Sequence, residues 1–171
     1  MRNHGLKKIA YCLVTSVISF SVFASERLGQ EEHQLLDRLR KETPTISYSG
    51  PLAVANLNLN HKGSVIIAEP GEKVFGMLHF EYDTEDLEAE SLNQIIIGFS
   101  DSGPQKCIFN EFGYRCSEGI ASFYLQVPES PGIYEVQCKF EQADSPNNAI
   151  DKWDEESLNS TMTIGKIIVR E

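Results

Sequence analysis

The chain has 171 residues, of which 41% are hydrophobic and 23% are charged, and its formal net charge at pH 7 is −10. This is the composition of an ordinary globular protein, and it excludes a collagen-like, low-complexity or polytopic membrane protein. The acidic excess also argues against binding of nucleic acid, because no basic patch is available to neutralise phosphates.

Residues 1–24 have the features of a secretory signal peptide. Basic residues open the segment, an apolar stretch follows over positions 9–23, and Ala24 stands directly before the predicted cleavage site. The stretch is shorter than the roughly 20 apolar residues that span a bilayer, so an uncleaved signal anchor is the less favoured alternative. We therefore expect a secreted or periplasmic protein that keeps no membrane contact after cleavage, in a compartment where disulfides can form.

Residues 25–43 predict a short helical leader at the N-terminus of the processed chain. Leu28, Leu35 and Leu39 recur at helical spacing, and Pro44 follows the segment. A proline disfavours helical backbone in the residue before it, so the helix should end there. The segment is too short for a coiled coil. We therefore expect a marginal helix rather than a dimerisation device.

From residue 44 onward the hydrophobic pattern changes from helical to strand-like. Alternating or wholly apolar segments are separated by turn residues, and they include residues 52–59, 64–68, 73–82, 94–99, 121–127, 132–141 and 162–169. About eight short strands with such spacing are typical of an antiparallel sandwich or barrel. Because the helical pattern is confined to the leader, a parallel α/β fold is disfavoured.

The segment 123–138 carries the most specific structural pattern. Apolar residues alternate up to Val127, a Pro-Gly turn follows, and Tyr134 opens the next predicted strand. The pattern resembles the corner between strands E and F of immunoglobulin-like sandwiches, where a tyrosine packs its ring inward and returns its hydroxyl to the backbone. The resemblance implies that residues 44–171 form an immunoglobulin-like antiparallel β-sandwich preceded by a short N-terminal helix. It implies no activity.

Three cysteines follow the signal segment: Cys107, Cys116 and Cys138. If residues 107–116 fold as a hairpin with a turn at 110–113, Cys107 and Cys116 face each other closely enough for a cross-link. We therefore predict a Cys107–Cys116 disulfide and a free, buried thiol at Cys138. A bridge between Cys116 and Cys138 remains the alternative, because spacing does not fix connectivity.

The longest predicted connection, residues 142–160, is the first candidate for a binding site. A connection of this length in a small domain is usually functional or disordered, and it contains the only tryptophan. An exposed Trp beside amides and carboxylates suits stacking on a sugar ring or contact with a protein. The predicted ligand-binding residues are Trp153, Asn147, Asn148, Asp151 and Asp154. The alternative is a short helix over 149–158 that packs Trp153 onto the sandwich.

Signals for catalysis and for metal binding are weak. Acidic clusters at 83–88 and 151–155 could supply oxygen ligands to Ca²⁺, but they do not match the pattern of a dedicated calcium loop. The histidines after the signal segment are not at ligand spacing, and no nucleophile elbow or phosphate-binding loop occurs. We therefore expect no cofactor and no catalytic residues, with Ca²⁺ as the remaining alternative to a solvated acidic surface.

Taken together, the sequence predicts an exported, non-enzymatic binding module that contacts a carbohydrate or a protein through residues 142–160. The alternative is a structural or assembly protein that pairs through an edge strand or through the N-terminal helix. A small hydrolase is the least favoured function. A sandwich of this size leaves little room for a cleft in which two carboxylates converge.

Overall fold

The computed structural model describes residues 29–85, 87, 91–112, 117–154 and 160–170. The chain divides into two units, Met1–Arg38 and Leu39–Glu171. In the first unit the described residues, 29–38, are helical, and this helix, α1, spans residues 29–42 in all. Thr43 ends it, because its hydroxyl and its N–H both donate to the carbonyl oxygen of Leu39. Within the described ranges, no helix has the length and apolar character that crossing a bilayer requires.

The described part of the second unit contains nine strands and one further short helix. The strands are β1 (Ile46–Ser49), β2 (Leu52–Leu59), β3 (Val65–Ala68), β4 (Lys73–Tyr82), β5 (Leu92–Phe99), β6 (Gly103–Phe112), β7 (Glu118–Gln126), β8 (Gly132–Ala143) and β9 (Met162–Val169). Helix α2 (Pro146–Asp151) lies between β8 and β9.

The strands form a sandwich of two sheets. The first sheet has the order β1-β2-β4-β7, and the second has the order β3-β9-β8-β5-β6. Neighbouring strands are antiparallel except β3 and β9, which run parallel. The prediction of an all-β sandwich is therefore confirmed, whereas the expectation of a wholly antiparallel one is wrong at this pair. β3 follows β2 along the chain but joins the opposite sheet, where it runs in the same direction as β9.

The inner faces of the two sheets share one hydrophobic core, to which β4 contributes alternate residues from Val74 to Tyr82. Two glycines on the β4–β7 ladder make room for aromatic rings. Phe123 covers its register partner Gly76, and Phe80 covers Gly119. A Cβ atom at Gly76 would lie 2.2 Å from the Phe123 ring. Glycine is therefore required at that position by packing rather than by backbone conformation.

Two serines of β1 connect the first sheet to the second. Ser47 Oγ donates to the carbonyl oxygen of Thr163 at 2.9 Å, and Ser49 Oγ donates to that of Ser160 at 2.7 Å. Ser49 Oγ also accepts from the N–H of Phe140 at 3.4 Å, a residue beyond the end of the β8–β9 ladder. The serines thus satisfy backbone groups that strand pairing leaves open, as buried polar groups require.

The turn predicted at residues 110–113 is not present at residues 110–112, the part of it that the structure describes. Residues 110–112 do not turn; they continue β6 and pair with β5. β6 belongs to the second sheet and β7 to the first, so the two strands are not ladder partners. Tertiary packing explains the difference, because Phe109 of β6 contacts Phe80 and Tyr82 in the core, with ring centroids 4.6 and 5.9 Å apart. The β5–β6 pair uses the turn signal near residue 102 instead.

The turn between β7 and β8 matches its prediction. Tyr134 Oη donates to the carbonyl oxygen of Ser130 at 2.9 Å, and the ring lies edge-on to Phe99 with centroids 6.0 Å apart. The expected return of the hydroxyl to the backbone is confirmed. The hydrogen bond fixes the path of the chain as it crosses from one sheet to the other.

Candidate functional site

Residues 142–160 do not form one long open loop. Residues 142 and 143 complete β8, and α2 begins after the N-cap residue Ser145, whose Oγ accepts from the N–H of Asn148 at 3.3 Å. Pro146 stands at the start of the helix, where its missing N–H costs nothing. Residues 155–159 lie outside the described residues. A short helix is therefore present, as the alternative expects, but it spans Pro146–Asp151 and not 149–158, so Trp153 follows the helix.

Trp153 is buried, with 5% of its surface accessible. It packs with Ala149 of α2 and with Ile96 and Ala143 on the outer face of the second sheet. The exposed ring on which the binding-site prediction depended is therefore not present. Trp153 instead anchors α2 against the sheet, as the packed-helix alternative requires.

The other four predicted ligand-binding residues are exposed around α2. They are Asn147, Asn148, Asp151 and Asp154. None of the four lines either of the two concave regions described below. The structure thus separates them from Trp153, which faces the sheet, and their role in binding stays a prediction.

A buried polar network, not predicted from the sequence, connects α2 to the sheet. Lys139 of β8 has 1% of its side chain exposed, and its Nζ lies 2.9 Å from Glu141 Oε1. The same Nζ donates to the carbonyl oxygens of Lys152 at 2.5 Å and Trp153 at 3.2 Å. Pairing and hydrogen bonding of this kind are what a buried charge needs. Alternation alone places Lys139 and Glu141 on the solvent side of β8, and α2 explains their burial.

Two of the three cysteines after residue 24 are described, and both are free thiols. Cys138 is buried in the core, as predicted, and this complete burial raises the pKa of its thiol. Cys107 is half-buried, and desolvation raises its pKa despite a hydrogen bond from Sγ to the carbonyl oxygen of Phe109 at 2.8 Å. Neither thiol is activated as a nucleophile. The predicted Cys107–Cys116 disulfide is therefore not found, because Cys107 is a free thiol and residues 110–112 pair with β5 instead of forming the turn that supported the bridge. Cys116 itself lies outside the described residues.

The acidic clusters considered for Ca²⁺ are only partly described: residues 86, 88 and 155 lie outside the described ranges. Asp83 Oδ1 accepts from the N–H of Glu85 at 3.0 Å, which is the hydrogen bond of an Asx turn. Among the residues that the structure describes, no three His, Cys, Asp or Glu side chains are close enough to hold a metal ion. The carboxylate of Asp83 therefore stabilises the local turn at residues 83–85.

The outer face of the first sheet carries a groove of about 600 Å³, which we call the outer groove. Its floor is formed by the small side chains of Ala53 and Ala55 on β2. One wall consists of Ile46 and Tyr48 on β1. The other wall consists of side chains from β4 and β7, namely His79, Glu81, Glu118 and Ile120. A volume of this size lies in the range of ligand sites. A second concave region, beside β1 and β2, has only about 140 Å³.

The register of the first sheet arranges the side chains of the outer groove in two rows. One row contains Ile46, Ala55, His79 and Ile120, which are successive ladder partners across the four strands. The next row contains Tyr48, Ala53, Glu81 and Glu118. The first row is mainly apolar, whereas the second ends in two carboxylates. The groove therefore has an apolar end and an acidic end.

Three large apolar side chains of the outer groove face solvent. Ile46 is 50% exposed, Tyr48 is 68% exposed and Ile120 is 60% exposed. Single exposed apolar residues are common on protein surfaces, but several that converge on one concave face indicate an interaction site. Among the described residues that line the groove, none is a lysine or an arginine. Glu81 and Glu118 contribute two carboxylates to the rim.

A bulge in β2 marks the end of the groove beyond the apolar row. The β2–β4 register shifts between Ala55 and Asn58, and Asn56, which lines the groove, has a φ of 54°. Asparagine tolerates this left-handed backbone better than most residues.

Further along the same sheet face, Phe75 and Tyr124 are in contact, and Lys73 Nζ lies 4.7 Å from the Tyr124 ring centroid. One face of the Tyr124 ring is therefore already covered.

A scan against models of protein families and a search of curated proteins find no match to the chain. The function is therefore argued from the geometry. Sequence analysis did not predict the outer groove, because its residues come from four strands that are brought together only by the order of the first sheet. One sequence feature could have indicated the groove. Ile120 is apolar, although the alternation of β7 places it on the solvent-facing side of the strand.

Proposed function

We propose that the chain is an exported, non-enzymatic binding module with an immunoglobulin-like fold, and that it binds a protein segment in the outer groove. The observation that carries the proposal is the convergence of Ile46, Tyr48 and Ile120 over a floor of alanines. Export is supported by the signal-like sequence of residues 1–24.

The strand order supports an immunoglobulin-like fold. In such sandwiches strands A, B and E share one sheet, and strands C, F and G share the other. Here β2, β4 and β7 correspond to the first set, and β5, β8 and β9 correspond to the second. The hydrogen bond from Tyr134 Oη to the carbonyl oxygen of Ser130 stands where the tyrosine corner of that fold occurs.

The side chains of the outer groove favour a protein over a carbohydrate. Sugar rings stack on flat aromatic faces, yet two of the three exposed apolar residues, Ile46 and Ile120, are aliphatic. Trp153 is buried, and Lys73 covers one face of Tyr124. Apolar side chains surrounded by a polar rim are typical of protein interfaces. The ring of Tyr48 suits such an interface equally well, because tyrosine is enriched among residues that dominate binding energy.

The alternative role, assembly through an edge strand, has less support. β1 and β3 contain only four residues each, and α2 packs across β5, β6 and β8. At the edge of β7, Gln105 Nε2 donates to the carbonyl oxygen of Gln126 at 2.7 Å. The N–H of Gln126 donates to Gln105 Oε1 at 2.9 Å. Short, covered or occupied edges resist pairing with another chain.

A second candidate function, glycoside hydrolysis, is favoured by one observation. Glu81 and Glu118 are register partners on β4 and β7, and retaining glycosidases hold two carboxyl groups about 5 Å apart. Both side chains are exposed at one end of the groove, whereas an acid and a nucleophile need different environments. Release of reducing sugar from soluble polysaccharides, abolished by Glu81→Gln and by Glu118→Gln, would support hydrolysis and contradict a pure binding role.

Binding to identified peptides tests the proposed function. The purified protein is used to select from a displayed library of random peptides, and the selected peptides are sequenced, synthesised and titrated. We expect Ile120→Asp to weaken their binding about tenfold or more, as loss of a central interface residue does. The matched control is Ile133→Asp, since Ile133 is 46% exposed on the outer face of β8 in the other sheet. This variant should bind like the wild type.

Parallel titration with a glycan array separates the two ligand classes. The proposal is supported if the protein binds no glycan on the array and if its peptide binding depends on Ile120. Glycan binding that is lost in Tyr48→Ala would replace the protein ligand with a carbohydrate. Peptide binding that Ile120→Asp and Ile133→Asp reduce equally would refute the outer groove as the binding surface.

A further inference from the structure

The rest of the same sheet face indicates which protein covers the outer groove, an inference that rests on the proposed function of the groove. We infer that the partner is a second copy of this chain, packed face to face through the first sheet with the strand direction reversed. Each copy then places the rings of His61, Phe75 and Tyr124, which we call the aromatic ridge, in the outer groove of the other copy.

The aromatic ridge crosses the end of the sheet face that lies away from the groove. Phe75 and Tyr124 are register partners on β4 and β7, and their ring centroids are 5.3 Å apart. His61, in the turn after β2, extends the row, with its ring centroid 5.8 Å from that of Phe75. None of the three lines the groove. Three adjacent rings stand higher than the side chains of Ala53 and Ala55, so the face has a raised end and a hollow end.

The outward residues of β4 are placed symmetrically about Met77. Phe75 and His79 stand two positions to either side of it, and Lys73 and Glu81 stand four positions to either side. Most homodimers have a two-fold axis, which forms every contact twice. An axis that lies between two facing sheets and crosses β4 at Met77 reverses the strand and exchanges the members of each pair. The ridge end of one copy thereby lies over the groove end of the other.

The neighbouring strands match under the same rotation. On β7, Ser122 is the register partner of Met77, and Tyr124 and Ile120 stand two positions to either side of it. Tyr124 therefore faces Ile120 of the partner subunit. On the side of β2, His61 faces the alanine floor of the partner's groove. Packed sheets lie about 10 Å apart, and side chains from both faces fill the space between them. A ridge opposite a groove fills this space better than two facing ridges would.

Reversal of the strands also brings opposite charges together. Lys73, whose Nζ lies 4.7 Å from the Tyr124 ring centroid, is at the ridge end of β4, and Glu81 is at the groove end. Both side chains are exposed. In the reversed dimer Lys73 faces Glu81 of the partner subunit, and this ion pair forms twice. Packing with the strands in the same direction would bring the two acidic ends together, so the charges favour the reversed arrangement.

The sheet face has the area that a specific dimer needs. Four strands about 4.8 Å apart, with a rise of about 3.3 Å per residue from Lys73 to Glu81, give a face of roughly 19 by 26 Å in projection. Protruding side chains increase the accessible area beyond this projection of roughly 500 Å². Two copies together therefore bury about 1,000 Å² or more, which is near the lower limit of specific interfaces. We accordingly expect a dissociation constant in the micromolar range.

Sedimentation velocity of the purified processed protein tests the dimer over a range of about 1–500 μM. Ile120→Asp in the groove and Tyr124→Asp in the ridge should each weaken dimerisation about tenfold or more, since each puts a carboxylate into the apolar centre of the interface. The matched control is Ile133→Asp in the second sheet, because Ile133 is 46% exposed and Tyr124 is 47% exposed. It should dimerise like the wild type. Thermal denaturation verifies that each variant is folded.

Charge reversal tests the strand direction. Lys73→Glu and Glu81→Lys should each weaken dimerisation about tenfold, because each replaces two ion pairs with two repulsive contacts. An equimolar mixture of the two variants should dimerise at a concentration where neither does alone, since a reversed heterodimer contains only opposite charges at these positions. The control is Asp101→Lys, which makes the same charge change as Glu81→Lys at an exposed position in the turn between β5 and β6. It should not affect dimerisation, alone or mixed with Lys73→Glu.

The outcomes distinguish this inference from the proposed function. A protein that stays monomeric throughout, while selected peptides still bind through Ile120, overturns the dimer and leaves the groove as a site for another protein. A dimer that Ile120→Asp and Tyr124→Asp do not weaken lies on another surface and also overturns the inference. Failure of the mixed charge variants to associate overturns the reversed arrangement. Because Tyr124 does not line the groove, Tyr124→Asp should still bind the selected peptides. Peptide binding that is independent of Ile120, in a protein whose dimer depends on it, overturns only the peptide site.

Discussion

Replacement of Trp153 by alanine measures how firmly α2 is packed against the second sheet. A buried tryptophan removes roughly 150–250 Å² from water, and Trp153 is only 5% exposed. At about 25 cal/mol per Å², loss of the ring outside its Cβ costs roughly 3–5 kcal/mol, the range measured for such truncations. We expect the lower half of this range, because α2 lies at the surface and can partly collapse into the cavity.

The assay is urea denaturation followed by far-UV circular dichroism, since the variant has no tryptophan fluorescence. Trp153→Phe retains most of the apolar contact with Ile96 and Ala149 and should lose clearly less stability. Asp151→Ala, at an exposed position of the same helix, should change the free energy of unfolding by less than about 0.5 kcal/mol. A loss below about 1 kcal/mol for Trp153→Ala would refute the buried packing and revive the exposed ring predicted from the sequence.

Three further predictions concern the core and the buried polar groups. Gly76→Ala should destabilise the protein by about 1–3 kcal/mol in thermal denaturation, because its Cβ would lie 2.2 Å from the Phe123 ring; Gly119→Ala, whose Cβ would lie 3.1 Å from the Phe80 ring, should cost less. Lys139→Ala should cost about 3–5 kcal/mol in urea denaturation by leaving Glu141 buried without its ion pair, and the double variant Lys139→Met with Glu141→Leu should recover much of this loss. Burial raises the pKa of the Cys138 thiol, so above about pH 8.5 the unfolded chain loses this proton first. The free energy of unfolding should then fall by up to about 1.4 kcal/mol per pH unit, a slope that Cys138→Ala should reduce.

Hydrophobic alternation was sufficient to locate most strands. The expected segments 73–82 and 162–169 coincide with β4 and β9, and 132–141 differs from β8 by only two residues. β1 was missed because its two inward residues, Ser47 and Ser49, are polar and serve hydrogen bonds to the opposite sheet. A local pattern does not indicate such long-range partners.

The residues around α2 show where alternation becomes ambiguous. Lys139 and Glu141 lie on the outward side of β8, and a pattern of period two assigns such residues to solvent. They are buried because α2, which follows β8 directly, folds back over them. The sequence likewise allowed two positions for Trp153, and only the packing against Ile96 and Ala143 distinguishes them.

The outer groove depends on strand order, which the sequence pattern does not determine. Ile46 and Ile120 are 74 positions apart in the sequence, yet both line the same row because β2 and β4 lie between β1 and β7. The two glutamates become neighbours through the β4–β7 register. In the sequence, each of these four residues has only the features of an ordinary exposed strand residue.

The amide of Gln105 affects how the edge of β7 can pair with another molecule. A glutamine amide has the same donor and acceptor groups as a peptide unit, and both of these groups are engaged with Gln126 on β7. The side chain therefore makes the two hydrogen bonds that a residue of a neighbouring strand would make with Gln126. The amide pair occupies the last position of β7, so a strand of another molecule can pair with that position only after it displaces Gln105.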